Sequence, residues 1–167
     1  PMLIMIKDEC HIIFGSKSKY HYKWNMKSKH MDEICELPDA PGMGEHGVVY
    51  VESQNRLLCF GGYDFQMGDY YDEIFEFDMS FAASKSWRKL NDVRLPIEMT
   101  NFSWVISKNE DYLVIFGGEN AGYDNIKNIF ILDLNEMKFY SSKIKLNDYC
   151  DCNSYPRAVL MNNQQNN

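Results

Sequence analysis

Side chains that could bind a metal or act as nucleophiles are few and widely separated in this sequence. The four histidines show no ligand spacing; they are His11, His21, His30 and His46. The five cysteines are Cys10, Cys35, Cys59, Cys150 and Cys152, and their odd number favours free thiols over a disulfide framework. Cys150 and Cys152 form the only close pair, one residue closer than in a zinc knuckle or redox motif. The sequence therefore predicts no metal site and no cofactor.

Motifs for other kinds of catalysis are not found either. The sequence contains no nucleophile elbow, no phosphate-binding glycine loop and no pair of carboxylates at a catalytic spacing. Residues 69–73 (Asp-Tyr-Tyr-Asp-Glu) form an acidic cluster, which we interpret as a solvated loop because calcium requires more oxygen ligands. We therefore expect a binding protein and not an enzyme.

Composition and charge narrow the class of partner. Hydrophobic residues make up 45% and aromatic residues 14% of the 167-residue chain, which argues against disorder. The net charge of -7 repels nucleic-acid phosphates. No apolar run approaches the roughly 20 residues that cross a bilayer, and the apolar stretch at residues 2–6 is too short for a signal-peptide core. We expect a cytoplasmic protein that binds neither nucleic acid nor membrane.

One pattern of strands occurs three times along the chain. An apolar strand ends in Phe-Gly at residues 11–15, 57–61 and 113–117. Another apolar strand and a polar turn precede each of these, and aligning the three Phe-Gly pairs predicts the same register in every repeat. A third strand that ends in Asp or Asn follows, and then a short fourth strand. The predicted unit is thus four strands, repeated about every 50 residues.

These segments resemble kelch repeats, whose marks are a Gly-Gly doublet after the second strand, an aromatic residue in the third and a tryptophan in the fourth. In the first repeat Gly15-Ser16 stands in place of the doublet, and in the third repeat Phe139 replaces the tryptophan. The residues that carry the resemblance are Gly15, Gly61, Gly62, Gly117, Gly118, Phe75, Trp87, Phe130 and Phe139. Glycine permits a positive φ and a close approach of backbones, and large aromatic side chains fill the space between twisted sheets.

The resemblance implies an all-β fold, namely a partial kelch-type β-propeller of about three four-stranded antiparallel blades plus the first strand of a fourth. The predicted repeats cover residues 1–161, with blades at about 2–37, 46–90 and 101–144 and the extra strand at 157–162. Residues 163–167 form an Asn/Gln tail that is predicted to be disordered. Because propellers close with four to eight blades, three states stay open: a fragment of a larger propeller, a homodimer of about six blades, or an open arc.

The family resemblance implies a protein–protein interaction module, an adaptor or scaffold that could recognise substrates for a ubiquitin ligase within a longer chain carrying a BTB or F-box type domain. An actin-associated structural scaffold is the alternative, and a kelch-fold enzyme such as a copper radical oxidase is a third, less favoured one. Kelch propellers that bind peptides use the loops after the Gly-Gly strands and the loops between blades. The partner-binding residues predicted in this way are Tyr63, Asp64, Phe65, Glu119, Asn120, Tyr123, Glu45, His46 and Arg157.

The chemistry of the partner follows from a departure from the family pattern. Family members that bind acidic peptides often place an arginine where each blade opens. Here those positions read Gly44-Glu45-His46 and Met99-Thr100-Asn101, and only Arg157 follows the pattern. A basic or neutral protein partner is therefore expected.

Overall fold

Strands dominate the part of the chain that the computed structural model describes, which is residues 1–15, 18–37, 43–80 and 86–146. The predicted all-β class is confirmed, and the helical structure found in these ranges is one 3-10 turn at Glu52–Gln54. No helix there is long and apolar enough to cross a membrane. Arg157, the pair Cys150 and Cys152, the predicted strand 157–162 and the tail 163–167 lie outside the described residues.

Three four-stranded antiparallel sheets follow one another along the chain. Sheet one consists of β1 (Met2–Ile6), β2 (Glu9–Gly15), β3 (Ser18–Asn25) and β4 (His30–Glu36). Between sheets one and two lies β5 (Met43–Gly44). Sheet two consists of β6 (Gly47–Val51), β7 (Arg56–Phe60), β9 (Glu73–Asp78) and β10 (Trp87–Arg94), and β8 (Tyr63–Asp64) pairs with β5. Sheet three consists of β11 (Ser103–Ile106), β12 (Tyr112–Phe116), β13 (Asn128–Asp133) and β14 (Lys138–Lys145).

Sheet two lies between sheets one and three and is covered by them on both faces. Its strands therefore carry apolar residues on both sides instead of alternating apolar and polar ones. Leu57 and Cys59 face sheet one, while Leu58 and Phe60 on the same strand face sheet three. Near-continuous apolar runs of this kind are typical of strands buried on both sides. Among the predicted repeat marks, Phe75, Trp87 and Phe130 are buried in these two cores, and Phe139 packs against one of them as a partly buried residue.

Polar contacts join sheets two and three beyond their shared core. The indole Nε1 of Trp104, on β11, donates to the carbonyl of Val48 at 3.1 Å. At the turn end of the sheets, Arg56 pairs with Glu76 at 2.6 Å and also donates to the carbonyl of Leu134 at 2.9 Å. These contacts satisfy polar groups at the rim of the interface, where a buried unpaired group would cost about 1–3 kcal/mol.

The register of sheet one differs from the one that the Phe-Gly alignment predicts. Ile13 pairs with Met2 at the start of β1, as Phe60 pairs with Gly47 and Phe116 with Ser103 in the other sheets. Counting on from these pairs, Phe14 occupies the position that the first glycine of the doublet, Gly61, has in sheet two. Both residues have a positive φ, +42° for Phe14 and +61° for Gly61. Gly15 therefore corresponds to the second glycine, and the prediction that Gly15-Ser16 stands for the doublet is wrong by one residue.

The physical reason is the turn between β1 and β2, which contains only Lys7 and Asp8. A one-residue change of register exchanges the two faces of a strand, so it is His11 and Ile13 that face sheet two. Phe14 keeps its unusual conformation because its ring is fully buried and packs edge-on against Trp87 at a centroid distance of 5.2 Å.

The fourth strand of each sheet is longer than the sequence predicts. β4 runs for seven residues from His30, and β10 and β14 run for eight residues each, to Arg94 and Lys145. Most residues of these outer strands are exposed or half-buried, so the hydrophobic alternation that marks a strand is weak there. Backbone pairing with the third strand extends them regardless of side-chain type.

A pair of buried histidines lies between sheets one and two. His11 Nδ1 and His21 Nε2 are 2.9 Å apart, and the His21 ring packs edge-on against Phe77 at a centroid distance of 5.1 Å. Burial lowers the pKa of both, and that of His21 falls to about 3 with a further contribution from His11. His46, also buried, has its pKa lowered to about 4 by the same cause. All three are therefore neutral in the folded protein near pH 7.

We expect acidification from pH 7 to pH 5 to destabilise the fold. A freely solvated histidine has a pKa of 6.5, whereas that of His21 in the folded chain is about 3. The unfolded chain therefore binds the proton first, and stability falls as the pH drops below 6.5. The loss at pH 5 is about 2 kcal/mol for this histidine. Urea denaturation followed by tryptophan fluorescence at pH 7.5, 6 and 5 measures it.

His21→Phe is the matched control, since it keeps a ring against Phe77 and removes one titrating group. The variant should lose part of the slope between pH 5 and 6.5, a window above the range in which ordinary carboxyl groups titrate. Equal slopes in both proteins would show that His21 does not cause the pH dependence.

Candidate partner-binding surface

The loops that follow the glycine doublets and the segments that connect the sheets meet at one end of sheets two and three. The amide of Gly62 donates to the carbonyl of Met99 at 2.8 Å. Thr100 and Glu119 exchange two backbone hydrogen bonds of 3.0 Å each. The segment that connects sheets two and three is therefore held against the loops of both repeats, which gives this end of the molecule a defined shape.

Glycine is required where the connecting segments cross the doublets. Gly62 has φ +110°, and a Cβ there would lie 2.7 Å from the carbonyl oxygen of Gly44. Gly118 has φ +82°, and a Cβ there would lie 2.3 Å from the carbonyl oxygen of Thr100. Both the conformation and the lack of space exclude a side chain.

Four aromatic rings form a continuous row across this end, which we name the aromatic row: Phe65, Tyr63, Tyr70 and Tyr123. Successive ring centroids are 5.0, 4.9 and 6.4 Å apart, and each pair meets edge to face. Phe65 and Tyr123 at the two ends are 53% and 75% exposed. The row links the loop after β7 to the loop after β12, so it spans two repeats.

Tyr123 is presented by a constrained turn. Its φ is +59°, which is uncommon for a large side chain, and its amide donates to the carbonyl of Asn120 at 2.9 Å. The side chain of Asn120 closes the same loop by accepting from the amides of Gly122 and Asp124 at 2.9 and 3.1 Å. The ring is thus held outward by its own loop.

Two carboxylates lie beside the aromatic row. The Glu45 carboxylate accepts a hydrogen bond from Thr100 Oγ1 at 3.0 Å, and the Glu119 carboxylate accepts one from the side-chain Nδ2 of Asn101 at 3.3 Å. Burial raises the pKa of the Tyr70 phenol, and the negative charges of Glu119 and, more weakly, Glu45 raise it further. Tyr70 is therefore the residue at which the aromatic row and the carboxylates converge.

The charged side chains in the described segments that form this end are all acidic. Its described segments are residues 43–46, 61–72, 95–102 and 117–126, and they contain no lysine or arginine. Their acidic residues are Glu45, Asp64, Asp69, Asp72, Glu98, Glu119 and Asp124. The neighbouring Arg94 is paired with Asp72 at 3.1 Å. A charge distribution of this kind attracts cations and repels anions.

Eight of the nine predicted partner-binding residues lie within the described part of the chain. Six of them lie at or near this surface, and the other two are buried. Asp64 is 0% and His46 is 1% exposed, so both predictions of a surface role are wrong. Asp64 shapes its own loop by accepting from the amides of Gln66 and Met67 at 2.7 and 3.2 Å. His46 packs near Phe14 at a ring distance of 6.0 Å. The residues at the surface are Tyr63, Phe65, Glu45, Glu119, Asn120 and Tyr123.

Sequence reasoning missed Tyr70, because residues 69–73 were interpreted as a solvated acidic loop. The available signal was the pair Tyr70-Tyr71 inside that segment, since aromatic side chains contribute large contact areas and pair with other rings. The side chain of Tyr71 is also in contact with its loop, because its hydroxyl donates a hydrogen bond to the Asp64 carboxylate at 3.4 Å. Among the described residues, no group of three or more His, Cys, Asp or Glu side chains could hold a metal ion.

Comparison with known proteins shows similarity in fold and not in sequence. No protein-family model matches the chain, and no curated protein matches it. The solved structure of YjhT is similar with a TM-score of 0.71 and 15% sequence identity. The alignment covers 88% of this chain and 51% of the YjhT chain, so the chain spans about half the length of that relative. At this identity the similarity concerns the all-β arrangement alone.

Comparing alanine substitutions at a doublet glycine and at a loop glycine should separate the cost of crowding from the cost of backbone strain. We expect Gly118→Ala to lower the free energy of unfolding by about 3 kcal/mol, since the left-handed conformation costs about 1–2 kcal/mol and forced overlap adds a similar amount. Gly68 has φ +79° but only the Tyr63 hydroxyl nearby, at 3.8 Å, so Gly68→Ala should cost about 1 kcal/mol. Urea denaturation measures both, and equal losses would contradict a close crossing at Gly118.

Proposed function

We propose that this chain is a section of a kelch-type propeller that acts as a protein-binding module, and that its ligand surface is the aromatic row with Glu45 and Glu119. The partner is a basic segment of another protein. The observation that carries this proposal is the continuous row of rings that runs from one repeat to the next, with exposed ends and with carboxylates beside it.

The propeller part of the proposal is supported by how the sheets stack. Each sheet packs face to face with the next, and the first strands β1, β6 and β11 lie side by side. The glycine doublets end the second strands of sheets two and three, where the connecting segments cross. In propellers of four-stranded blades the first strands lie next to each other around a central channel, and the contacts of β6 with β1 and β11 support this proposal.

The chemistry of the surface favours arginine or lysine side chains as ligands. A cation over a tyrosine ring gains about 0.5–2 kcal/mol, depending on how far the pair is removed from water. Carboxylates at the edge of the rings add charge-assisted hydrogen bonds to the same cation. An acidic peptide would meet six carboxylic residues that are not buried in the described segments of this end, which disfavours its approach.

The surface is also ordered before a ligand arrives. Thr100 and Asn101 hold the two glutamates, and the ring contacts of Tyr70 with Tyr63 and Tyr123 hold the row. Side chains that are already immobile lose little conformational entropy on binding, so more of the interaction energy appears as affinity. Tyrosine is also common among the residues that dominate binding energy at interfaces.

We expect Tyr70→Ala and Tyr123→Ala each to weaken binding of an arginine- and lysine-rich peptide by roughly tenfold, the loss of about 1.4 kcal/mol. Fluorescence anisotropy with a labelled basic peptide, its acidic counterpart and a Gly/Ser peptide measures this. Tyr123→Phe should retain most of the affinity because the ring is kept. Met26→Ala, in the β3–β4 turn away from this end, is the control and should have no effect.

Affinity for the basic peptide should also fall as salt is raised, because exposed charges are screened. Equal binding of the basic and acidic peptides, or full binding by Tyr70→Ala with Tyr123→Ala combined, would contradict the proposed surface.

A further inference from the structure

The two carboxylates beside the aromatic row are held by one short segment of the chain. Glu45 precedes sheet two and Glu119 follows β12, so they come from different repeats. Thr100 touches both, because its hydroxyl donates to Glu45 Oε2 at 3.0 Å and its backbone exchanges two hydrogen bonds with that of Glu119. The adjacent Asn101 donates from Nδ2 to Glu119 Oε1 at 3.3 Å. Each carboxylate is thus anchored through one oxygen, and no described residue donates to its other oxygen.

Both carboxylates act on Tyr70, in the middle of the aromatic row. Burial raises the pKa of the Tyr70 phenol, and the charges of Glu119 and Glu45 raise it further. All three side chains are half-buried. Two like charges therefore lie near one partly desolvated ring, an arrangement that a cation stabilises.

The same chain shows what a half-buried carboxylate binds at the turn end of sheet two. Both oxygens of Glu76 are paired with arginines there, one with Arg56 at 2.6 Å and the other with Arg88 at 2.7 Å. In residues 1–15, 18–37, 43–80 and 86–146, by contrast, no basic side chain forms an ion pair with Glu45 or Glu119. Moving a carboxylate out of water is costly unless a positive partner compensates it. The charge at Glu45 and Glu119 is therefore available to a cation from another molecule.

We infer that the guanidinium group of an arginine in the partner binds between Glu45 and Glu119, with its plane against the ring of Tyr70. This inference rests on the proposed function and narrows it, because it selects arginine over lysine as the side chain that the surface recognises.

Three properties of the site favour a guanidinium over an ammonium group. A guanidinium has five N–H donors in one plane and can serve carboxylates on two sides, whereas the ammonium of lysine is a compact point charge. Its flat face stacks on an aromatic ring while the donors at its edge stay free for hydrogen bonds. It is also more weakly hydrated, so it loses less when it enters a half-buried site.

A metal ion matches the site less well than an arginine side chain. Among the residues that the structure describes, no three His, Cys, Asp or Glu side chains are grouped so that they could hold one. The aromatic rings on both sides of Tyr70 offer faces and edges, which suit an organic cation.

Two peptides of equal length and charge test the preference, one with arginine and the other with lysine at every basic position. Fluorescence anisotropy should give about tenfold tighter binding of the arginine peptide, the effect of one more hydrogen bond to a charged group. Equal affinities, or tighter binding of the lysine peptide, would overturn the arginine site and leave the proposed basic partner intact. If neither peptide binds, both proposals are wrong.

Variants that remove one charge locate the preference. Glu45→Gln and Glu119→Gln should each bring the two affinities to within about threefold, because the guanidinium loses one of its two carboxylates. Glu98→Gln is the matched control, since Glu98 is an exposed acidic residue of the same end. It should weaken both peptides equally and leave their ratio unchanged. If Glu98→Gln lowers the ratio as much as the other two variants do, the cation does not bind at Glu45 and Glu119.

Proton NMR of the arginine peptide reports on the stacking directly. The δ-methylene protons beside a guanidinium that lies on a ring face shift upfield, so this shift should appear when the protein is added. Tyr123→Phe should retain the shift and Tyr70→Ala should abolish it. Unshifted δ-protons in the saturated complex would rule out a guanidinium stacked on Tyr70.

Discussion

The close crossing of connecting segments over the glycine doublets is the constraint on which the rest of this structure depends. The carbonyl oxygens of Gly44 and Thr100 pass so near Gly62 and Gly118 that no Cβ fits between them. Each crossing fixes where the chain leaves one sheet and enters the next, and therefore the distance between the sheets. The same crossing brings the loop of one repeat against the segment that opens the following repeat, which is why residues from two repeats share a surface.

Packing between the sheets follows from that geometry and uses different chemistry at each interface. Between sheets two and three the core is apolar, with Leu58 and Phe60 packed against residues of β12 and β13. Between sheets one and two the core includes His11 and His21, which contribute neutral rings to an aromatic cluster with Phe77. Because these ionisable groups are buried, the stability of the interface between sheets one and two depends on pH. Acid should therefore weaken the packing of sheet one on sheet two more than the packing of sheet three on sheet two.

Local patterns in the sequence were sufficient to predict most of the strands. Apolar runs, turn residues and the repeat of about 50 residues identify β1 to β3 and their counterparts, and they also identify Gly61, Gly62, Gly117 and Gly118 as a common structural feature. The ends of β4, β10 and β14 were not predictable from hydrophobic alternation, because those outer strands are largely exposed. Backbone hydrogen bonds extend them without requiring any particular side chain.

What the sequence by itself determined was the all-β class, the three-fold repetition and the acidic loops at one end, since these follow from residue type and short-range spacing. Only the tertiary structure decided that Phe14 replaces a glycine, that His46 and Asp64 are buried, and that Tyr70 joins Tyr63 to Tyr123. Each of these depends on a contact between residues distant in the chain or on the length of one turn. Because the turn is two residues shorter than in sheet two, each strand of this hairpin is displaced by one residue relative to the Phe-Gly alignment, and its side chains lie on the opposite faces. No local pattern in the sequence reveals which face a neighbouring sheet will cover.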